Sequence, residues 1–322
     1  MIQSSKPLDR FAAAIMVGLC VSWGVQQIAA KTALVDFAPI TQAALRSFGA
    51  TLAVGAIALW REPKIFHRDG SLLLGALAGL IFAAEFIALF LAVQWTSAAR
   101  VIVFLYSAPF FVALGAFLFL PQERLRPLQW LGLALAFLGV VVALSGAGGK
   151  EGLIGDLLAI FGAAAWAMVT VMIKATSLRF VAPTKVLLYQ LGVSAIVMAI
   201  AARTVGEPWP ARVSPIGAAS LAYQTFWVAC ATYLAWFWML TRYRAGDMAA
   251  FTFLTPVIGV LAGHFLLGET LSAGFLAALA MVAGGVLLVN WPVRPASPAR
   301  LVGQAAEPVL DDRSTKKPRS VA

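Results

Sequence analysis

The sequence predicts an all-α integral membrane protein: ten transmembrane helices in two five-helix halves of inverted topology, with both termini on the cytoplasmic side. Three observations predict it. The 322 residues are 61% hydrophobic and only 12% charged, with a mean hydropathy of +0.88, whereas an ordinary soluble domain is roughly one-quarter charged. Apolar stretches of about 20 residues, the length that crosses a hydrocarbon core, recur almost end to end. The second half of the chain echoes the first.

Taken in order, apolar runs between charged, Pro or Gly breaks place helices near 11–30, 39–60, 71–93, 99–119 and 128–145, then 155–174, 184–202, 217–240, 247–267 and 273–291. The first run follows Lys6 and Arg10 in the manner of a signal peptide. It is long, however, and carries Trp23, Gln26 and Gln27, so it is expected to stay as a helix. In the third, Gly75-xxx-Gly79 fits close helix packing, inside a protomer or between protomers. Pro109 and Pro256 fall within the fourth and ninth runs, where a missing N–H and a ring clash should kink each helix and free carbonyls toward a cavity. Asp156 and Asp247 stand at expected helix starts, as N-caps would. The chain thus divides into a cytoplasmic segment 1–10, a first repeat 11–145, a connector 146–154, a second repeat 155–291 and a basic tail 292–322. The tail is rich in Pro, Ser, Ala and charge, including Arg313, Lys316, Lys317 and Arg319, with too little apolar area to offset ordering entropy, so disorder is expected.

Orientation follows from basic residues, which resist translocation. With the N-terminus inside, the cytoplasmic segments hold eighteen lysines and arginines and the opposite side five, with Arg46 left within a helix. The net charge of +10 is therefore topological, and no nucleic-acid partner is inferred. Cys20 and Cys230 lie in apolar stretches as small buried side chains, with neither disulfide nor zinc spacing.

The echo between halves is specific. SAPFFVALGAFLFLPQERL (107–125) resembles LTPVIGVLAGHFLLGETL (254–271): Pro109 aligns with Pro256, Glu123 with Glu269 after a one-residue shift, and Leu125 with Leu271. Gly139-Val140 matches Gly285-Val286, Ala38-Pro39 matches Ala182-Pro183, and Trp23 and Lys31 keep the spacing of Trp166 and Lys174. A repeat with an odd number of helices inserts its two copies upside down, so that one midplane site opens alternately to each side.

These features (ten helices in two halves, Trp23-Gly24, a proline within the fourth run, Gly268-Glu269-Thr270 closing the ninth) resemble the drug/metabolite transporter superfamily in its EamA-like branch, over about residues 10–291. The resemblance implies a central cavity lined mainly by helices one, three, four, six, eight and nine. It also implies movement of amino acids and related metabolites, often outward. The first half reads Pro121-Gln122-Glu123-Arg124 in place of Gly-Glu-Thr, a departure at a helix end.

Charges at membrane depth cost about 2.5–3.5 kcal/mol at a helix centre and are functional candidates by default. Arg46 lies on a small, polar face with Gln42, Ala43, Gly49, Ala50 and Ala53, and Glu85 is near the centre of the third helix. A zwitterionic amino acid would match one guanidinium and one carboxylate. Two readings are open: Arg46 and Glu85 neutralise each other, or at least one meets substrate or, for Glu85, a coupling proton. Further pathway candidates are Trp23 and Gln27, Tyr106 beside Pro109, Trp166, Gln190, Gln224, Thr232 and Thr255. His264, near the outer end of the ninth helix, is a second proton-coupling candidate. Pro109 and Pro256 are the hinge candidates.

An enzyme would need convergent catalytic groups, but only His67 and His264 exist, and no H-E-x-x-H or G-x-S-x-G run occurs. Gly146-Ala-Gly-Gly-Lys150 lacks the leading Gly and the Ser/Thr of a phosphate loop. No metal or cofactor is expected. The partners expected are the lipid bilayer and a small solute, in a bacterial-type inner membrane. Export of amino acids or related metabolites is the leading expectation, and uptake of a vitamin or nucleoside-like solute the alternative.

Overall fold

The computed structural model describes residues 9–61, 65, 67–119, 127–145, 149–240, 242–243, 251–252 and 254–289. Within them the chain is helical nearly throughout. The helices are α1 (Arg10–Ala33), α2 (Pro39–Arg61), α3 (Leu72–Trp95), α4 (Ala98–Leu105), α5 (Ala108–Phe119), α6 (Pro127–Ser145) and α7 (Gly149–Ala175). They continue with α8 (Pro183–Thr204), α9 (Pro215–Ala222), α10 (Tyr233–Leu240), α11 (Leu254–Leu267) and α12 (Ala273–Val289), and a π-helical stretch, Tyr223–Thr232, joins α9 to α10. A backbone in lipid has no water to bond, so apolar runs of this length close their hydrogen bonds internally. Six segments (10–33, 39–61, 72–95, 98–119, 152–175 and 183–204) are long and apolar enough to cross a membrane, and shorter apolar helices lie at 127–143, 254–267 and 273–288.

Local chemistry sets the helix ends. Proline opens α2, α6, α8 and α9, where its missing N–H would have no partner anyway. Asp9, Ser97 and Ser214 accept from the N–H groups of Ala12, Arg100 and Gly217. At the other end, Gly206 and Gly268 adopt left-handed φ of 74° and 66°. The residue after each donates its N–H back into the helix, Glu207 to Ala202 O (2.9 Å) in a six-to-one closure and Glu269 to Gly263 O (3.2 Å), one residue wider, closures that glycine permits.

Packing pairs helices across the two halves. α1 lies against α11 and α9, α2 against α8 and the π stretch, α3 against α7 and α8, α4 and α5 against α7, and α6 against α12. These pairs exchange with one another when the halves are swapped, as a two-fold relation between repeats requires. Where α1 crosses α11, a side chain on Gly24 would meet Gly259 N at 3.0 Å and Thr255 O at 3.1 Å, so only small residues permit the crossing. Gly75 and Gly79 receive Tyr189 and Val193 of α8, which assigns that motif to packing within one protomer.

Several expectations are corrected. The prolines expected to kink mid-helix stand instead in first turns, Pro109 second in α5 and Pro256 third in α11. The fourth run is two helices, with the break at Tyr106 and Ser107, because a proline is best tolerated where its missing N–H is not needed. α7 starts at Gly149, inside the expected connector. Asp156 is consequently within a helix and caps nothing. It is fully buried, pairs with Arg100 through Nε at 3.0 Å and through Nη2, and accepts from Thr96 Oγ1 at 3.1 Å. Asp247, Glu123, Arg124 and the tail 292–322 lie outside the described residues.

Candidate functional site

The two charges predicted at membrane depth are both buried. α2 turns Gln42, Ala43, Arg46, Ser47 and Ala50 inward while Phe48, Leu52 and Leu59 face outward, an amphipathic division at helical spacing. α3 brings Glu85, 5% exposed, to the same interior. The Arg46 guanidinium lies 4.3 Å from the centre of the Phe86 ring, a cation–π contact worth about 2 kcal/mol when desolvated. None of its three nitrogens makes a hydrogen bond of good geometry, Tyr233 being the polar side chain that acts on it most, and Glu85 Oε2 makes none. Each group feels the other's charge, yet no ion pair or hydrogen bond joins them. The two charges thus act on each other without direct contact.

The surrounding polar groups are similarly unfulfilled. Gln42 donates through Nε2 to Ala30 O at 3.1 Å and Gln224 through Nε2 to Ser220 O at 3.1 Å, and each leaves its Oε1 without a partner. The Ser47 hydroxyl is also buried and unpartnered, and the buried Thr255 hydroxyl makes no hydrogen bond of good geometry although Tyr106 and Cys20 lie near it. Among the described residues, every such atom lies on α2, α3, the π stretch or α11. Folded proteins bond nearly all buried polar groups, so this concentration marks a place where another molecule can supply the missing partners. Tyr233, at the junction of the π stretch with α10, interacts electrostatically with both Arg46 and Glu85. Tyr106, capping the end of α4, interacts with Tyr233 and Thr255.

Aromatic side chains join α1 to the π stretch and α10. Trp23 Nε1 donates to Thr232 Oγ1 at 2.9 Å, and its ring meets Trp236 edge-on at 5.5 Å. Thr232 in turn donates to Val228 O at 2.7 Å. Ser22, beside Trp23, accepts from Trp227 Nε1 at 2.9 Å, and its carbonyl accepts from the Tyr223 hydroxyl at 2.8 Å. The π stretch is thus stitched to α1 along its length. Gln27 is buried on α1 four residues beyond Trp23.

Other sequence candidates stand apart from this cluster in varying degree. Tyr106 meets Trp166 edge-on at 6.5 Å, but Trp166 is 39% exposed. Gln190 is half-buried on α8, the helix that packs along α2. His264 is exposed in the last turn of α11, its Nδ1 2.8 Å from Glu269 O, where it closes a helix end rather than facing Arg46 and Glu85. Pro109 and Pro256 begin helices next to Tyr106 and Thr255. Sequence reasoning did not single out Tyr233, Ser47 or Phe86. Phe86 and Ser47 carried a usable signal, since each adjoins a charge at membrane depth in the sequence.

Outside the helices, Lys185 Nζ donates to His67 O at 2.7 Å and Asp69 Oδ2 at 2.9 Å, and the Ser71 hydroxyl links Asp69 to Tyr189. The Ser71 hydroxyl first, and then the Lys185 ammonium, hold the Asp69 carboxyl well below the usual carboxylate range.

Comparison with known proteins agrees with the resemblance. The EamA-like transporter family model matches residues 10–145 and again 153–291. An uncharacterized transporter of Bacillus subtilis, YvbV, is 29% identical over 88% of this chain and 93% of its own. A Salmonella typhimurium protein described as a probable amino-acid metabolite efflux pump is 28% identical over 92% and 99%. The uncharacterized inner membrane transporter YedA of Escherichia coli is 24% identical over 94% and 96%. A protein crystal structure superposes with a TM-score of 0.61 at 22% identity, covering 86% of this chain and 96% of that one, a likeness of fold. Two successive matches that together span nearly all of the helical chain place it in that family: this protein is a membrane transporter of the EamA-like family.

Proposed function

We propose that the protein crosses the inner (plasma) membrane ten times, with both termini cytoplasmic, and exports amino acids or related metabolites by alternating access. The observation that carries the reading is the divided pair of Arg46 and Glu85. The Arg46 nitrogens and Glu85 Oε2 are buried without a hydrogen bond of good geometry, and a poorly paired buried charge costs several kcal/mol. A zwitterionic amino acid offers a carboxylate to the guanidinium and an ammonium to the carboxylate, so one small ligand relieves both. Trp23, Trp236 and Tyr106 are placed to face its side chain, with Gln27, Gln224, Thr232 and Thr255 as neutral hydrogen-bonding groups. Trp166 and Gln190 flank the pathway.

The excess of lysine and arginine in alternate loops supports the ten-span orientation. The name of the Salmonella relative, an amino-acid metabolite efflux pump, supports outward movement. Glu85 is the proposed proton-coupling group, because an empty site would otherwise hold its charge without a partner. Pro109 and Pro256, where helices restart beside the site, are the proposed hinges.

The test is flux from vesicles holding the purified protein and a panel of labelled amino acids and vitamins, with and without a pH gradient, beside Glu85→Gln. Gradient-driven flux of an amino acid, lost in Glu85→Gln while the protein still inserts, is the expected result. Flux indifferent to the substitution would remove Glu85 from the mechanism, and flux of vitamins alone would replace the substrate class.

A further inference from the structure

The Gly268-Glu269-Thr270 motif has a second partner set that substrate recognition does not use. Glu269 follows the left-handed Gly268 that ends α11, and its carboxylate accepts from Ala98 N (2.7 Å) through Oε1 and Ala99 N (3.0 Å) through Oε2. These are the first N–H groups of α4, in the other repeat. Lys31, near the end of α1, lies with Nζ 3.4 Å from Glu269 Oε1 and donates to Thr96 O at 2.9 Å. The Glu269 side chain is only 10% exposed. A carboxylate on a helix N-terminus makes charge-assisted bonds and complements the helix dipole, so this contact is strong as well as enclosed.

The helices that Glu269 fastens together carry three of the candidate pathway residues, beside the α2 and α3 that bear Arg46 and Glu85. α1 runs from Trp23 to Lys31, α4 from Tyr106 back to Ala98, and α11 from Thr255 to Glu269. In each helix one stretch leads from candidate binding residues, Trp23, Tyr106 or Thr255, to the end held at this carboxylate. We infer that Glu269 is the latch of the outer gate: its bonds to the α4 N-terminus and Lys31 hold the three struts together, and they must break for the site to open outward. The word outward rests on the proposed orientation, while the latch itself rests on the contacts. Glu207 provides an internal control. It also follows a left-handed glycine and caps another helix, accepting from Ile40 N at 3.0 Å and Thr41 N at 2.6 Å at the start of α2. α2 is not among the three struts.

The experiment places a reporter, Gln27→Cys, on α1 between Trp23 and Lys31, in a chain carrying Cys20→Ala and Cys230→Ala. A membrane-impermeant thiol reagent is applied to each membrane face in turn. Glu269→Gln is expected to raise labelling from the outer face on the order of tenfold, the shift that loss of about one charge-assisted bond brings to a two-state equilibrium. Glu207→Gln is expected to leave the rate unchanged, although both variants lose melting temperature. Equal labelling in the two variants, or no change in Glu269→Gln, would overturn the latch and leave Glu269 a structural cap. Raised labelling from the cytoplasmic face alone would keep the latch and overturn the orientation. A second arm does not depend on weakening the fold: Lys31→Cys with Glu269→Cys, bridged through two disulfides by a bifunctional thiosulfonate that releases sulfinate, should abolish flux, and a thiol reductant that cleaves those disulfides should restore it. Flux that persists through the bridge contradicts the proposal.

Discussion

The two repeats share a fold and differ in their charges. The register that sets Pro39 opposite Pro183 sets Arg46 opposite Gln190, and the register that sets Pro109 opposite Pro256 sets Glu85 opposite Thr232. The first half therefore places a guanidinium and a carboxylate in the interior where the second half places an amide and a hydroxyl. The helices differ too. α3 is a continuous α-helix of 24 residues, whereas its counterpart is interrupted by the π-helical Tyr223–Thr232, which changes how Gln224, Thr232 and Tyr233 are presented to α1 and α2. Of the matched tryptophans, Trp23 is hydrogen-bonded inside while Trp166 is 39% exposed. Symmetry serves the motion between states. Recognition of a ligand with two unlike ends needs the symmetry broken, and under the proposed function both charges that would read it come from the first half.

The largest expected effect is on Arg46. Arg46→Gln should lower transport roughly 30- to 5,000-fold, because removing one partner of a buried charge contact costs about 2–5 kcal/mol. The same change should leave the empty protein as stable or more so, since the desolvation cost of a poorly paired guanidinium disappears. A thermal melt of the purified variant checks this, and a large fall in melting temperature would restore a structural role for Arg46. Next in size, Glu85→Gln should reduce amino-acid flux about 10- to 100-fold, in keeping with about 1.5–3 kcal/mol for a hydrogen bond to a charged group. Adding Thr232→Glu, which moves the carboxylate to the symmetry-equivalent position, should fail to rescue it. Rescue would mean that the asymmetry between halves carries no meaning.

Smaller effects sharpen the neutral side. Trp23→Phe keeps the ring and removes the bond to Thr232, so a rise in KM of about fivefold is expected, in line with roughly 1 kcal/mol for a neutral hydrogen bond. The smallest concerns Asp69. Its carboxyl is held low by Ser71 and Lys185, so what it contributes to stability is present above its unfolded value near 4 and drains away as the pH falls below that. Asp69→Asn should lower the melting temperature slightly at neutral pH, where that contribution is present, and the two proteins should converge as the pH falls below about 4.

Much of this was legible in the sequence. Hydropathy located the helical stretches, since lipid exposure constrains composition over whole turns. Arg46 and Glu85 were visible because charge is rare at that depth. Other features left no such trace. The break at Tyr106 and Ser107 sits in an unbroken apolar run, where composition is indifferent to which carbonyl each N–H finds, and the π stretch was hidden for the same reason. Asp156 looked like a cap because the helix seemed to begin there, but its partner Arg100 lies on another helix. Tyr233 resembled any membrane tyrosine until its neighbours were known. Glu269 was recognised as part of a motif, whereas its reach to Ala98 and Ala99 depends on a contact between repeats.

The central claim, that Arg46 receives the carboxylate of a zwitterionic substrate, is tested most directly by equilibrium binding of a transported amino acid and its carboxamide. Wild-type protein should prefer the carboxylate by about 100-fold, and Arg46→Gln should bind the two within about threefold, as expected when a buried charge-assisted contact is lost. An Arg46→Gln variant that retained the full preference would contradict the account.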